Sequence, residues 1–351
     1  MKFSSFPRAK LAALPTPLQY LPNLTKILGG PKIWVKRDDL NGLAFGGNKT
    51  RKLDYIIGDA LDKGADVIVT GAGFQSNWCT QTVAAAKKAG LDIYLVKSAP
   101  REDFDTEDWD GNHLLHHLMG AHVKTVHPDK FMETIEATME KLKKEGRKPY
   151  YTPVGGSDKI GAAGYFNAVL ELTYQANDEG IHFDYLVHTT GSGGTQAGLV
   201  MGAKAFNTGM KIVGVACGYG DVSVIKDKVR GIVEEAKERY DLDFTLNDED
   251  LIVHNQYAGD GYGIMNEEKL AAVKLLAETE GIMIDPVYTS VALACIIDQV
   301  KQGNFKKTDN VVLLHTGGAV ALFPYKEPLR AHLEGKTLPW KVPSWSPSAE
   351  D

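Results

Sequence analysis

The chain has 351 residues, room for two domains of about 150 residues each, and its 39 Lys and Arg against 45 Asp and Glu leave a formal charge of −6. That balance excludes the basic footprint of a nucleic-acid binder and a polybasic membrane arm, and no run of about 18 apolar residues marks a membrane-spanning helix. Glycine is the outlier: 36 residues, without a collagen period or a matching excess of proline or serine, point to backbone that approaches something closely.

In chain order, short β-branched runs alternate with Ala-rich helical patterns. The spacing predicts a strand over 32–35, a helix over 50–63, a strand over 67–69, a helix over 77–89 and a strand over 93–96. A charged stretch over 98–109 (REDFDTEDWD) reads as an exposed loop. Beyond it come a helix over 131–145, a strand over 185–187, a helix over 195–206, a strand over 211–215 and a helix over 221–239. Helices over 267–280 and 289–301 precede a last strand over 311–314. The proline- and serine-rich tail after Pro328 is expected on the surface. Alternation of this kind is the signature of parallel sheets with helical crossovers. A change of composition near 153–156 suggests a crossover between lobes, and element order alone leaves open whether the lobes are sequential or nested. No repeat of 20–50 residues occurs.

Cysteine usage adds a bound. Cys79, Cys217 and Cys295 are far apart and without metal-ligand spacing, so neither a disulfide framework nor a metal site is expected, and a reducing compartment is. The N-terminus MKFSSFPRAK has no apolar signal core, and a soluble, cytoplasmic protein is the expectation.

Four glycine clusters fall where a strand pattern gives way to a helical one: Gly46-Gly47, Gly71-Ala72-Gly73, Gly191-Ser192-Gly193-Gly194 and Gly317-Gly318. In a parallel sheet such turns lie at the carboxyl ends of strands, where open α/β sheets bind ligands. Gly191 to Gly194 with Thr195 would offer free backbone N–H groups and two hydroxyls at the positive end of a helix, an anion cradle. No Walker lysine follows, and the third glycine of a dinucleotide fingerprint is missing, so a single phosphate fits better. A tight βα connection without a ligand stays open as the plainer reading of any one cluster. Lys49 follows Gly46-Gly47-Asn48 at a helix start, where a cation opposes the helix dipole. A solvated lysine is its plain reading. A lysine kept near neutral by burial can instead form a Schiff base with an aldehyde, and together with a phosphate cradle this suggests pyridoxal phosphate.

The segments LPTPLQYLPNL, IWVKRDDLNGLAFGGNKTRKLDY, GAGFQSNWCTQT, GNHLL, YTPVGGSDKIGAAGY, TTGSGGTQAGL, DGYGI, EGIMIDPVYTS and VLLHTGGAVALF follow in order. Together, over roughly residues 7–327, the chain resembles the family of D-cysteine desulfhydrase, L-cysteate sulfo-lyase and 1-aminocyclopropane-1-carboxylate deaminase. These are fold type II, tryptophan-synthase-β-like pyridoxal-phosphate enzymes. The resemblance implies two open parallel-sheet α/β lobes with the active site between them: 1–48 with 156–351 as the larger, cofactor-binding domain, and 49–155 as the smaller. It implies Lys49 as the Schiff-base lysine, and Lys52 with Gly191, Ser192, Gly193, Gly194 and Thr195 as the phosphate site. Asn77 would hydrogen-bond the ring hydroxyl oxygen. Ser76, Asn77 and Trp78 would receive the substrate carboxylate, and Tyr262 and Tyr288 would flank the substrate for stacking and proton transfer. A homodimer, with no metal, is implied as well.

Two positions divide that family. The deaminase branch carries Glu after the PVY tyrosine and Leu before the late Gly-Gly, whereas this chain has Thr289 and Thr316. A carboxylate beside the pyridine nitrogen keeps it protonated and the ring a strong electron sink, as opening a cyclopropane demands; a hydroxyl leaves it closer to neutral. The two threonines therefore imply β-elimination, from D-cysteine to pyruvate, ammonia and sulfide. L-cysteate (yielding sulfite), the cyclopropane substrate and an uncharacterised β-substituted amino acid are the alternatives, and a catalytically quiet cofactor-binding protein is the alternative of another class. The chain also departs from the desulfhydrase pattern: where relatives read His-x-Arg after QSN, it has Trp78 and Thr80, which puts the substrate in doubt more than the cofactor. Cys79 between them reads as a small buried residue rather than a redox thiol.

Overall fold

The structure, a computed structural model, describes residues 6–99, 105–107, 109–218 and 220–336. Most of the charged stretch expected as an exposed loop and the Pro/Ser-rich end of the tail lie outside the described residues. The first half of the chain runs β1 (Leu18–Tyr20), α1 (Pro22–Leu28), β2 (Lys32–Arg37), α2 (Asn48–Asp62), β3 (Val67–Gly73), α3 (Asn77–Lys88), β4 (Asp92–Ser98), α4 (Gly111–Leu118), β5 (His122–Val126), α5 (Phe131–Lys144) and β6 (Pro149–Tyr151). The second half runs α6 (Lys159–Asp178), β7 (Tyr185–Thr190), α7 (Gly194–Ala205), β8 (Lys211–Ala216), α8 (Val222–Tyr240), β9 (Ile252–His254), α9 (Glu267–Glu280), α10 (Thr289–Lys301), β10 (Asn310–His315) and α11 (Lys326–Leu333).

The strands form two sheets, a six-stranded one in the order β1-β2-β10-β7-β8-β9 and a four-stranded one in the order β5-β4-β3-β6. All pairings are parallel except β1 with β2, so the larger sheet is mixed at one edge rather than purely parallel. β1 escapes the sequence pattern because it is three residues long and largely solvent-facing. The carboxyl ends of β3, β7, β8 and β10, and the segment after β6, converge on one cavity.

The longest helix, α6, is absent from the sequence-based elements, and its packing says why. It is pressed between α2 and α7, and glycines let backbones touch: a Cβ at Gly164 would lie 2.4 Å from the Arg51 carbonyl oxygen, and one at Gly198 of α7 would lie 2.3 Å from that of Ala162. A helix with several buried faces has no polar stripe to betray its period.

A buried ion network fixes the start of α2. Arg51 donates to Asp38 through Nε and Nη2, both at 2.8 Å, and to Glu171 of α6 at 2.9 and 2.8 Å. Tyr165 donates to Asp38 at 2.5 Å, and Lys36 of β2 pairs with Glu171 at 2.5 Å. Burial alone would raise the Asp38 pKa, but the Arg51 guanidinium overrides it and holds the carboxyl below its usual range. Removing one partner of a buried pair leaves a charge uncompensated, a loss of about 3 kcal/mol or more. Asp38→Ala is therefore expected to lower the urea-unfolding free energy by about that much; a loss under about 1 kcal/mol would show the network to be dispensable.

Candidate active site

The site begins where two glycine loops clasp each other. Gly47 forms an isolated antiparallel bridge with Gly317, and Asn48 N–H donates to the Thr316 carbonyl at 3.0 Å. A Cβ at Gly46 would lie 1.9 Å from the Asp39 carbonyl oxygen, and one at Gly317 would lie 2.6 Å from Gly47 Cα. The close approach at these glycines is thus first to the protein's own backbone, and only beyond that to a ligand. The clasp holds the first turn of α2, with Lys49 and Lys52 on it.

Lys52 is buried and Lys49 half-buried, and they lie close enough for the charge of Lys49 to depress Lys52. Burial lowers the Lys49 pKa to about 8, opposed in part by Cys217 and Asp285. Burial first, and Lys49 second, drive Lys52 well below the ordinary range. Lys52 Nζ donates to the Gly155 carbonyl at 3.0 Å, and neither lysine has a carboxylate within ion-pair distance among the described residues. Two lysines without carboxylate partners at the positive end of a helix make a place for an anion, whose charge would favour their protonated forms.

Facing them is the loop from Gly191 to Thr195. Gly193 takes a left-handed conformation (φ 86°) and starts α7. Gly194 N–H donates to Ser157 Oγ at 3.2 Å, Ser157 and Ser192 hydroxyls meet at 2.7 Å, and Asn48 Nδ2 donates to Thr195 Oγ1 at 3.0 Å. A Cβ at Gly155 would come within 2.6 Å of Ser192 Oγ. The buried Thr190 hydroxyl, on the same wall, has no partner among the described residues. Lysine pair, helix start, hydroxyls and orphaned donor fit the phosphate and aldehyde of pyridoxal phosphate.

Ser76 caps α3, its Oγ accepting from Cys79 N–H at 3.2 Å, so the first N–H groups of Asn77 and Trp78 remain for a ligand. Trp78 contributes to the wall, yet its indole N–H turns away and donates to Thr70 Oγ1 at 2.9 Å. Across the cavity Tyr262 and Tyr288 hydroxyls lie 2.5 Å apart. Burial raises both phenols, keeping them protonated. Asp285 accepts the N–H groups of Val287, Tyr288 and Thr289 at 3.0, 2.7 and 2.8 Å and so sets the turn that presents Tyr288.

One cavity of about 300 Å³ brings together Lys49, Ser76, Asn77, Trp78, Gly191, Ser192, Gly193, Thr195, Tyr262, Tyr288 and Thr316. Lys52, Gly194 and Thr289 stand one layer back; Thr289 and Thr316 hydroxyls are 3.4 Å apart. Thr80, in the first turn of α3, lies off the wall, bonded to Asn112 and His116. Sequence reasoning missed Asp285, Thr190 and Cys217. An Asp four residues before a helix was a readable capping signal, and Cys217 stands directly after a strand. Among the described residues no cluster of His, Cys, Asp or Glu could hold a metal, and no helix is long and apolar enough to cross a membrane.

Residues 9–317 match the family of pyridoxal-phosphate dependent enzymes. A putative 1-aminocyclopropane-1-carboxylate deaminase of Pyrococcus horikoshii is 38% identical over 330 residues, covering 93% of this chain and 96% of the relative. D-cysteine desulfhydrase of Salmonella newport is 38% identical over 328 residues, covering 91% and 96%. Among solved structures, an ACC deaminase homologue superimposes with a TM-score of 0.85 at 37% identity, covering 94% of this chain and 97% of its own. The processed form of threonine deaminase isoform 2 from Solanum lycopersicum, at 17% identity and a TM-score of 0.65 over 92% of this chain and 84% of that one, shares the fold. The chain therefore belongs to the pyridoxal-phosphate dependent enzymes, as a lyase of the group that includes D-cysteine desulfhydrase and 1-aminocyclopropane-1-carboxylate deaminase.

Proposed function

We propose that the chain eliminates the β-substituent of a small amino acid, with D-cysteine and water giving pyruvate, ammonia and hydrogen sulfide. The observation that carries this is the pair of buried hydroxyls Thr289 and Thr316 at the cavity's back wall. The carboxylate behind them, Asp285, is taken up by three backbone N–H groups. Hydroxyls beside a pyridine nitrogen leave it near neutral, enough to expel a thiolate from the β-carbon and poor for opening a cyclopropane. Overall identity does not separate the two chemistries, since relatives of both names stand at 38%.

In this reading the bound cofactor supplies the electron sink that makes the substrate Cα–H acidic. Lys49 Nζ takes that proton, a task for a neutral amine that burial favours. Lys52 and the Gly191 to Thr195 loop hold the phosphate, and Asn77 holds the ring oxygen. The N–H groups of Asn77 and Trp78, at the start of α3, receive the substrate carboxylate. The Tyr262–Tyr288 pair hands a proton to the departing sulfur, which leaves with its bonding electrons, and water releases the amino group as ammonia. A homodimer is part of the same proposal, to be read by sedimentation velocity.

Three outcomes are expected. An assay across D-cysteine, L-cysteate, β-chloro-D-alanine and 1-aminocyclopropane-1-carboxylate yields pyruvate fastest from D-cysteine; 2-oxobutyrate from the last, with no pyruvate from the first, would overturn the reading. Tyr288→Phe lowers kcat by about 10²-fold or more, the usual range for a lost proton-transfer group, while the visible cofactor band persists; unchanged turnover removes the tyrosine pair from the reaction. The third concerns pH. Lys49 sits at about 8 in the folded protein against 10.5 in an open chain, so between those values the unfolded state binds more protons and stability rises with pH. Thermal unfolding of the cofactor-free protein should show part of that rise lost in Lys49→Met; parallel profiles would show that Lys49 is not depressed.

A further inference from the structure

Behind the turn at Ser76 and Asn77, a file of buried polar groups leads away from the cavity to a lysine. Lys97 of β4 is completely buried; its ammonium donates to the Phe74 carbonyl and lies 3.1 Å from His116 Nδ1. His116 Nε2 is 2.9 Å from Thr80 Oγ1, Thr80 donates to Asn112 Oδ1 at 2.7 Å, and Asn112 Nδ2 donates to Asn77 Oδ1 at 2.9 Å. The titratable groups facing Lys97 are Cys79 on α3 and His113, His116 and His117 on α4, and no carboxylate pairs with it among the described residues. Nothing in the reaction as derived above uses this file.

Its hydrogen bonds have one consistent direction. Burial lowers Lys97 to about 8, and below that pH it is an ammonium that only donates, so His116 Nδ1 accepts and its proton sits on Nε2. Burial first, and Lys97 second, hold His116 well below the usual imidazole range, so the ring is neutral and has this single proton to give. It goes to Thr80 Oγ1, with the Ser76 backbone as a second partner, and the Thr80 hydrogen goes to Asn112 at 2.7 Å rather than to the Ser76 carbonyl at 3.4 Å. The Asn112 amide nitrogen, also 3.5 Å from the Gln75 carbonyl, then donates to Asn77 Oδ1. With Oδ1 turned to Asn112, the Asn77 amide carries its N–H donors on the opposite edge. The file thus converts a buried charge into the orientation of one amide. An amide nitrogen aimed at the cavity suits an anionic oxygen and repels a donor.

We propose that Lys97 is a positioning residue that, through His116, Thr80 and Asn112, locks the Asn77 amide as a donor to the ring hydroxyl oxygen of pyridoxal phosphate. This rests on the reading that Asn77 holds that oxygen. It also gives Thr80 a place: a small hydroxyl that completes the file where the desulfhydrase pattern has arginine.

The test uses the holoenzyme and reads two quantities other than turnover: the pH midpoint of the visible cofactor band and the cofactor dissociation constant. Losing a donor to the anionic oxygen raises its proton affinity. Thr80→Val, nearly isosteric, and Lys97→Met are each expected to move the midpoint up by about one pH unit and weaken cofactor binding about tenfold, and Thr80→Ser to restore both. Midpoint and affinity unmoved in Thr80→Val and Lys97→Met, while Asn77→Ala shifts them, overturns the relay and leaves the role of Asn77 standing. No shift in Asn77→Ala overturns both. Thr80→Ser as impaired as Thr80→Val assigns the effect to packing and overturns the relay as well.

Discussion

The site depends on positive charge that water does not reach. The first turn and a half of α2 carries Lys49, half-buried, and Arg51 and Lys52, both buried, at the end of a helix already positive by its peptide dipoles. The chain treats them in two ways. Arg51 is neutralised from within by Asp38 and Glu171, an arrangement that pins the helix to β2 and α6. Lys49 and Lys52 are left without carboxylates, and burial drives both toward their neutral forms. One cation is spent on structure, while the other two stay at the cavity, where in the proposed reading they receive the cofactor. The phosphate loop, the hydroxyls of Ser192 and Thr195, and the tyrosine pair have meaning only around that deficit.

Much of this was legible in the sequence because strand-to-turn junctions carry strong local signals. Glycines after the apolar runs ending at Val187 and Leu314 mark strand ends whatever the rest of the chain does, and the strands of the structure do end close to them. What could not be read is what depends on contacts from outside a segment. The helix α6 has no polar face because neighbours cover it on several sides. The short strands β5, β6 and β9 owe their form to pairing with another strand, which for β6 lies far back in the chain at β3. The glycine excess itself has two origins that composition cannot separate. Gly191 and Gly193 line the cavity, whereas Gly164 and Gly198 let helix backbones pack against one another.

The departure at Trp78 and Thr80 shows how a fold takes up a change beside its active site. An indole in the wall brings a polar edge that must find a partner, and Thr70, itself bonded to the Thr152 carbonyl, accepts it on the side away from the cavity. The ring then packs against Gly156, where any Cβ would come within 2.9 Å of it. Size and polarity are accommodated in the smaller sheet's core, so the cavity sees an apolar surface there. In the proposed reading that wall would act on a substrate by shape, and hydrogen bonding would come from the opposite side, where the Tyr262 and Tyr288 hydroxyls meet.

The clasp of Gly47 on Gly317 sets an order of events. Lys49 lies early in the chain, but the backbone that braces its loop arrives with the last strand of the large sheet, which itself must slot between β2 and β7. Local helices form quickly, whereas a pairing that spans most of the sequence must await closure of a very long loop. During synthesis, a chain that has produced Lys49, and even the loop from Gly191 to Thr195, still lacks the backbone that braces the start of α2, and that brace is complete only once β10 has joined the large sheet.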